Sequence, residues 1–144
     1  MLTGDVKKLF ESQDLVALAT ADKSSMPNVV PIYWKKIVDS STIWLIDNYM
    51  LQTAGNLRQN KKACISFWNP STEDAYKLKG EATYYSSGKV FEAAKKWIQS
   101  ISPSKSPKGV VEFKVLEVYT IKPGPAAGSM LYDSDTKAKK TSKK

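Results

Sequence analysis

Short apolar runs of strand length, each closed by turn residues, recur from residue 15 to residue 121, and this rhythm limits the chain to a mainly β fold. Leu15–Thr20 (LVALAT) ends at Asp22-Lys23-Ser24-Ser25, and Asn28–Ile37 (NVVPIYWKKI) follows, so the two read as a β-hairpin. Thr42–Asp47 (TIWLID), Ala63–Trp68 (ACISFW), Tyr76–Ser86 (YKLKGEATYYS) and Val110–Ile121 (VVEFKVLEVYTI) complete six predicted strands. Gly80, in the middle of the fifth, predicts a bulge or a close backbone approach. Helical spacing interrupts the strands three times. Residues 3–12 place Val6, Leu9 and Phe10 on one face behind Thr3 as N-cap, and residues 50–60 form a short helix with Asn48 as a candidate cap. Ser87–Ser100 carries a stripe of Val90, Ala94, Trp97, Ile98 and Ile101. Helices do not alternate regularly with strands, so a six-stranded, mainly antiparallel barrel is expected rather than a doubly wound sheet.

The 144 residues suffice for one core, and no internal repeat or second domain is visible. The domain is expected over residues 1–131, with 132–144 a disordered tail. Five of the last eight residues are lysine, and they account for most of the +8 net charge; residues 1–136 hold 17 basic groups against 14 acidic ones. No run approaches the ~18 apolar residues of a membrane span, and the polar N-terminus is no signal peptide, so a cytoplasmic location is expected.

Chemistry is constrained most by the absence of histidine. Ser-His-Asp and Cys-His catalysis and His-held haem, zinc or copper are removed, and the single Cys64 can form neither an intramolecular disulfide nor a thiolate cluster. Glycine-rich phosphate loops are missing too: Gly80 and Gly88-Lys89-Val90 do not make a P-loop, and no GxGxxG occurs. Oxygen-ligated Mg²⁺ or Ca²⁺ stays open, although Glu73-Asp74 and Asp133/Asp135 lack EF-hand spacing, and a bound organic cofactor is the expected carrier of any chemistry. Asp47-Asn48 and Gln52-Thr53 flank the start of the short helix, where free amides and a partial positive charge suit a phosphate. Those residue types also serve simply as caps.

Met26-Pro27-Asn28-Val29-Val30-Pro31-Ile32, then Asp47-Asn48-Tyr49-Met50 with Thr53, Asn56, Leu57 and Asn60 at fixed spacing, resemble the FMN-binding split-barrel family of pyridoxamine 5′-phosphate oxidase-like proteins. Ser66-Phe67-Trp68, Leu78–Ala82 and Pro123–Gly128 resemble later segments of that family, in the same order. The resemblance implies a homodimeric split barrel with FMN at the dimer interface. It places the backbone of Val30, Pro31 and Ile32 beside the isoalloxazine, Asp47 and Asn48 near the ring and ribityl chain, and Gln52 and Thr53 at the phosphate. Many relatives have lysine where this chain has Gln52, which leaves Arg58, Lys61 or Lys62 as substitute cations. Trp68 and the Pro123–Gly128 turn are expected to cover the flavin from the partner subunit.

The expected function is electron or hydride transfer by an FMN flavoprotein, either an oxidoreductase or an electron carrier. A true pyridoxamine phosphate oxidase is disfavoured, because the resemblance implies cationic and imidazole substrate ligands and this chain has one arginine and no histidine. Binding of the deazaflavin F420 is the alternative within the same superfamily. An oligonucleotide-binding barrel using Trp34, Tyr84, Tyr85 and the basic tail is the alternative outside it.

Overall fold

The computed structural model describes residues 1–135 together with Ala138 and Lys139. Its three helices are α1 (Gly4–Ser12), α2 (Gln52–Gln59) and α3 (Gly88–Ile101). Its strands are β1 (Val16–Ala21), β2 (Pro27–Ile32), β3 (Lys35–Asp39), β4 (Thr42–Asp47), β5 (Lys62–Trp68), β6 (Ala75–Tyr85), β7 (Gly109–Thr120), β8 (Met130–Asp133) and β9 (Ala138–Lys139). All pairings are antiparallel, in the order β2-β1-β5-β6-β7-β4-β3, with β8 on β7 and β9 on β8.

That order forces the sheet to curl. Strands β2 and β3 lie at opposite ends of the seven-strand path, yet only Tyr33 and Trp34 join them. Laid flat, seven strands would separate the two ends by roughly 29 Å. Two linking residues reach only about 11 Å between flanking Cα atoms, so the edges must approach each other. The link also leaves the line of β2 to join the far side, where the Ile46 N–H donates to the Trp34 carbonyl (2.9 Å).

Inside the curl, Leu18, Ile43, Leu45, Ile65, Phe67, Leu78 and Phe113 are fully buried, and α1 plugs one end with Val6, Leu9 and Phe10. Phe10 meets Phe67 edge to face at 5.3 Å. Gly80 marks the expected irregularity: the β6–β7 register shifts between Lys79 and Gly80, and a Cβ on Gly80 would lie 2.0 Å from the Lys114 carbonyl oxygen. A second core holds α3 against the sheet through Phe91, Ala94, Ile98, Ile46 and Val110.

Several expectations need correction. Among the described residues the sheet has nine strands rather than six, because Asn28–Ile37 breaks into β2 and β3 where the chain crosses between sheet edges, and because β8 and β9 extend it beyond β7. On α3 the buried stripe centres on Phe91; Val90 and Trp97 flank it half-buried, and Ile101 is exposed. The residue preceding α2 is Leu51, not Asn48. Strand β8 crosses the boundary expected at residue 131, and apart from Ala138 and Lys139 the chain after Asp135 lies outside the described residues.

Candidate functional site

A cleft of about 740 Å³ lies along the end of β2. Val30, Pro31 and Ile32 form one wall, Trp34 and Ile46 extend it, and Asn48, Tyr49 and Met50 border it from the loop between β4 and α2. Among the described residues strand β2 pairs only with β1, so its other backbone edge has no strand partner. The prolines fit this position, since Pro27 and Pro31 are tolerated in an edge strand and would break a central one. The wall is therefore apolar in its side chains and polar along its backbone edge, a combination suited to a flat heteroaromatic ring with a polar rim.

The loop bordering the cleft is held from below. Asp47 is fully buried; its Oδ1 accepts the Met50 N–H (2.5 Å) and its Oδ2 accepts the Tyr84 hydroxyl. The Lys108 N–H donates to the Asp47 carbonyl (2.9 Å), and the Lys108 ammonium reaches the Met50 carbonyl (3.3 Å). Arg58 lies over the Tyr84 ring at 5.0 Å. Burial, with the bond to Asp47 adding to it, pushes the Tyr84 phenol well above the usual tyrosine range. At the other end of the cleft, Lys35 donates to the Gln13 carbonyl (2.7 Å) and lies 5.4 Å from the Phe10 ring centroid. Burial lowers its pKa against the opposing effect of Asp14 and Glu11.

Of the residues singled out in the sequence, Val30, Pro31, Ile32 and Asn48 meet in this cleft. Asp47 does not face it, since both carboxylate oxygens are engaged in the interior. Gln52 is exposed at the start of α2. Thr53 is buried, and its Oγ1 accepts from Asn28 Nδ2 (3.2 Å), tying α2 to β2. Trp68 is half-exposed at the end of β5, paired with Ala75 and away from the cleft of its own chain. The Pro123–Gly128 turn is exposed, closed by the Gly128 N–H on the Thr120 carbonyl (2.8 Å). Of the candidate cations Arg58 is spent on Tyr84, and Lys61 and Lys62 are exposed; Lys108, not singled out in the sequence, is bonded beside the α2 start.

Sequence reasoning missed Tyr33, Lys35, Tyr49, Met50, Lys105 and Lys108. Tyr33 follows directly on Val30–Ile32 and Lys35 stands two residues further on, so adjacency was the available signal; Lys105 and Lys108 sit in a Ser/Pro loop whose place is set only by packing. Trp34, Tyr84 and Tyr85 do not form an exposed stacking row: Tyr84 is bound to Asp47, and Trp34 and Tyr85 pack against the α3 core. No group of three or more metal-ligating side chains is gathered among the described residues, and none of their helices is long and apolar enough to cross a membrane.

A curled antiparallel barrel with a cleft on its edge strand is the architecture of the flavin-binding split barrels. The sequence pattern of the pyridoxamine 5′-phosphate oxidase family matches residues 2–122, and the chain belongs to that family. An uncharacterized protein of Methanocaldococcus jannaschii is 33% identical over 132 residues, which span 90% of this chain and 87% of the relative. The crystal structure of HupZ from Group A Streptococcus matches with a TM-score of 0.78 and 31% identity, over 89% of this chain and all of that one. An FMN-binding protein from Syntrophomonas wolfei shares the fold with a TM-score of 0.66 and 17% identity, over 78% of this chain and 80% of that one.

Proposed function

We propose that the protein is a homodimeric flavoprotein that holds FMN in the cleft beside β2 and passes electrons or a hydride. The observation that carries this reading is the open backbone edge of Val30–Ile32 forming a wall of a 740 Å³ cleft in a member of a flavin-binding family. Bound flavin would supply the redox chemistry through its own ring system. The protein's part is to bind, orient and shield.

The residues present fit that group in three places. The half-buried Val30 and the exposed Pro31 offer an apolar face for the ring, and the open edge of β2 offers backbone carbonyl acceptors to its rim. The start of α2 offers free amides, with exposed Gln52 at its first position, for the phosphate. Thr53 Oγ1, already accepting from Asn28, keeps its own proton to donate. Lys108 is the cation best placed to offset the missing lysine at position 52, given its bond to the Met50 carbonyl. Asp47 acts one step back, by fixing the Met50 amide and so the loop that presents Asn48.

The homodimer is supported by the surface around the same cleft. Met26 and Val29 on the β2 side, and Tyr49 (95% exposed) and Leu51 (81% exposed) before α2, leave a concentration of large apolar groups in water. A second copy would cover them, and its Trp68 would reach the flavin from the other side.

Reconstitution tests the reading. Purified protein is expected to bind one FMN per chain as a dimer, with riboflavin weaker, and Gln52→Lys is expected to tighten FMN without changing riboflavin. A colourless protein that takes up no FMN refutes the assignment. Tighter binding of F420 than of FMN would move it to the deazaflavin class.

A further inference from the structure

The positive charge of the domain is gathered on one segment. Residues 1–136 hold 17 basic groups against 14 acidic ones, and residues 86–108, which span α3 and the loop after it, contribute five of the lysines and only the carboxylate of Glu92. The remainder holds 12 basic groups against 13 acidic ones, so the whole excess comes from this segment.

Packing sorts that charge onto a surface. Phe91, Ala94 and Ile98 turn toward Ile46 and Val110, which leaves Lys89 and Lys96 exposed on the opposite side of α3, two turns apart. Glu92, Ala93 and Ser100 share that exposed side, which carries no large apolar group. Toward the cleft the charge continues. Lys36, from β3, lies 5.7 Å from the ring centroid of Trp97, and Lys105, which borders the cleft, lies 5.2 Å from that of Trp34. Glu112, paired across the sheet with Trp44 beside Lys36, accepts from Trp44 Nε1 (3.2 Å). The one salt bridge among the described residues, between Lys122 and Asp74, involves none of these lysines. A surface with one dominant sign of charge steers and orients a partner of the opposite sign.

Three features favour an acidic protein over other polyanions. The exposed side of α3 has no large apolar side chain to enter a lipid surface. Trp34 and Trp97 are half-buried and each already carries an ammonium, so neither offers a free face to a nucleobase. A flavin in the cleft must exchange electrons with a second molecule, and the charged surface ends where Lys105 meets that cleft.

We propose that the α3 face is the docking surface for a small acidic electron-carrier protein, drawn by Lys36, Lys89 and Lys96 and set down at the mouth of the cleft. The inference deepens the flavin reading and rests on it for the partner's redox role alone. Two encounters with a reduced one-electron carrier would oxidise two carriers and reduce one FMN, with the accompanying protons drawn from water. Docking by charge does not require flavin, so the two readings can fail separately.

An acidic plant-type ferredoxin serves as the probe, and basic cytochrome c as the carrier of opposite charge. Ferredoxin titrated at low salt into FMN-loaded and flavin-free full-length protein is expected to bind both forms, and about tenfold or more weaker at about 0.2 M salt, whereas cytochrome c is expected to bind neither. Lys89→Glu/Lys96→Glu should weaken ferredoxin by about tenfold or more and slow FMN reduction by reduced ferredoxin in proportion, with FMN content and reduction by dithionite unchanged. Lys7→Glu/Lys8→Glu, the same change of charge on exposed lysines of α1, should cost less than about twofold. Lys89→Gln/Lys96→Gln, which only neutralises, should cost about threefold and guards against a reversal that disturbs the helix. Ferredoxin binding that is absent, insensitive to salt, matched by cytochrome c, or weakened equally by the α1 and α3 reversals overturns the proposal. So does tighter binding of a DNA oligonucleotide or of phosphatidylglycerol vesicles through Lys89 and Lys96. Protein that takes up no FMN yet binds ferredoxin through α3 upholds the surface and refutes the flavin reading.

Discussion

Replacing Tyr84 by phenylalanine removes one hydroxyl and little else, which makes it a sharp probe of how the cleft loop is held. The ring remains, so the stacking of Arg58 at 5.0 Å and the tight fit of Gly109 against the ring are both retained. What is lost is the donor to Asp47 Oδ2, on a side chain with no exposure to water. A hydrogen bond to a charged group contributes about 1.5–3 kcal/mol, and an interior acceptor left unmatched keeps its desolvation penalty. The expected loss is therefore about 2 kcal/mol, or a fall in Tm of roughly 4–9 °C for a chain of this size. Urea unfolding followed by tryptophan fluorescence should show the midpoint lowered by about 1 M with the slope unchanged.

The pH dependence supplies a second check. Tyr84 has a folded pKa above its ordinary value of 10.0, chiefly through burial and then through its bond to Asp47. The folded state thus holds this proton more tightly than the unfolded state does. Its contribution is complete below about pH 10 and is lost as pH rises from there toward the folded pKa. The stability gap between wild type and Tyr84→Phe should accordingly be constant from neutral pH to about pH 10 and shrink above it. A loss under about 0.5 kcal/mol, or a gap that widens at high pH, would refute the claim that Asp47 and Tyr84 form the clamp. FMN affinity should fall in the same variant, because the Met50 amide bonded to Asp47 fixes the loop carrying Asn48.

Other outcomes follow from the same geometry. Gly80→Ala should destabilise by several kcal/mol in urea unfolding, since its methyl would stand 2.0 Å from the Lys114 carbonyl oxygen and 3.0 Å from the Phe113 ring, and one of these must move. The Cys64 thiol, held above its ordinary pKa by burial despite Lys77 and Lys79, should react with disulfide reagents more slowly than free cysteine at pH 8. Trp68→Ala should leave the unfolding free energy within about 0.5 kcal/mol while weakening FMN, since the side chain is half-exposed in its own chain and its proposed role is on the partner's flavin.

Much of the barrel was legible because its strands are punctuated locally. Asp22 accepts the Ser24 and Met26 amides, and Asp39 accepts the Ser41 amide, so two hairpin turns are written in the side chains that close them. Gly80 was legible for a similar reason, because a glycine inside a strand has few uses besides close approach. The break at Tyr33–Trp34 was not. Both residues favour strands, and the chain turns there only because β2 and β3 must occupy opposite ends of a curled sheet. That is a property of the closed pathway rather than of any window of residues.

The candidate site divides along the same line. Val30–Ile32 and Asn48 are contributed by a strand and by the residue just after one, and their meeting follows from the family pattern and the sheet. Asp47 was placed near the flavin by the family resemblance, yet a carboxylate beside a helix start has two possible partners, the ligand or the backbone amides of the approach to the helix. Here the Met50 amide and the Tyr84 hydroxyl, the latter contributed from β6 far along the chain, take both oxygens. The assignment turns on a tyrosine 37 residues away, which no local spacing identifies. The Ser102–Ser106 loop was equally silent, since a serine–proline–lysine stretch reads as solvated surface wherever it occurs. It reaches the cleft mouth only because α3 packs on Ile46 and Val110 and so brings its C-terminal loop to the same opening that Asn48 and Tyr49 border. The packing of α3 thus bears on the shape of that opening as well as on stability. Enlarging Ala94, which is buried in that contact, to leucine should overpack it and lower the unfolding free energy by about 1–3 kcal/mol in urea.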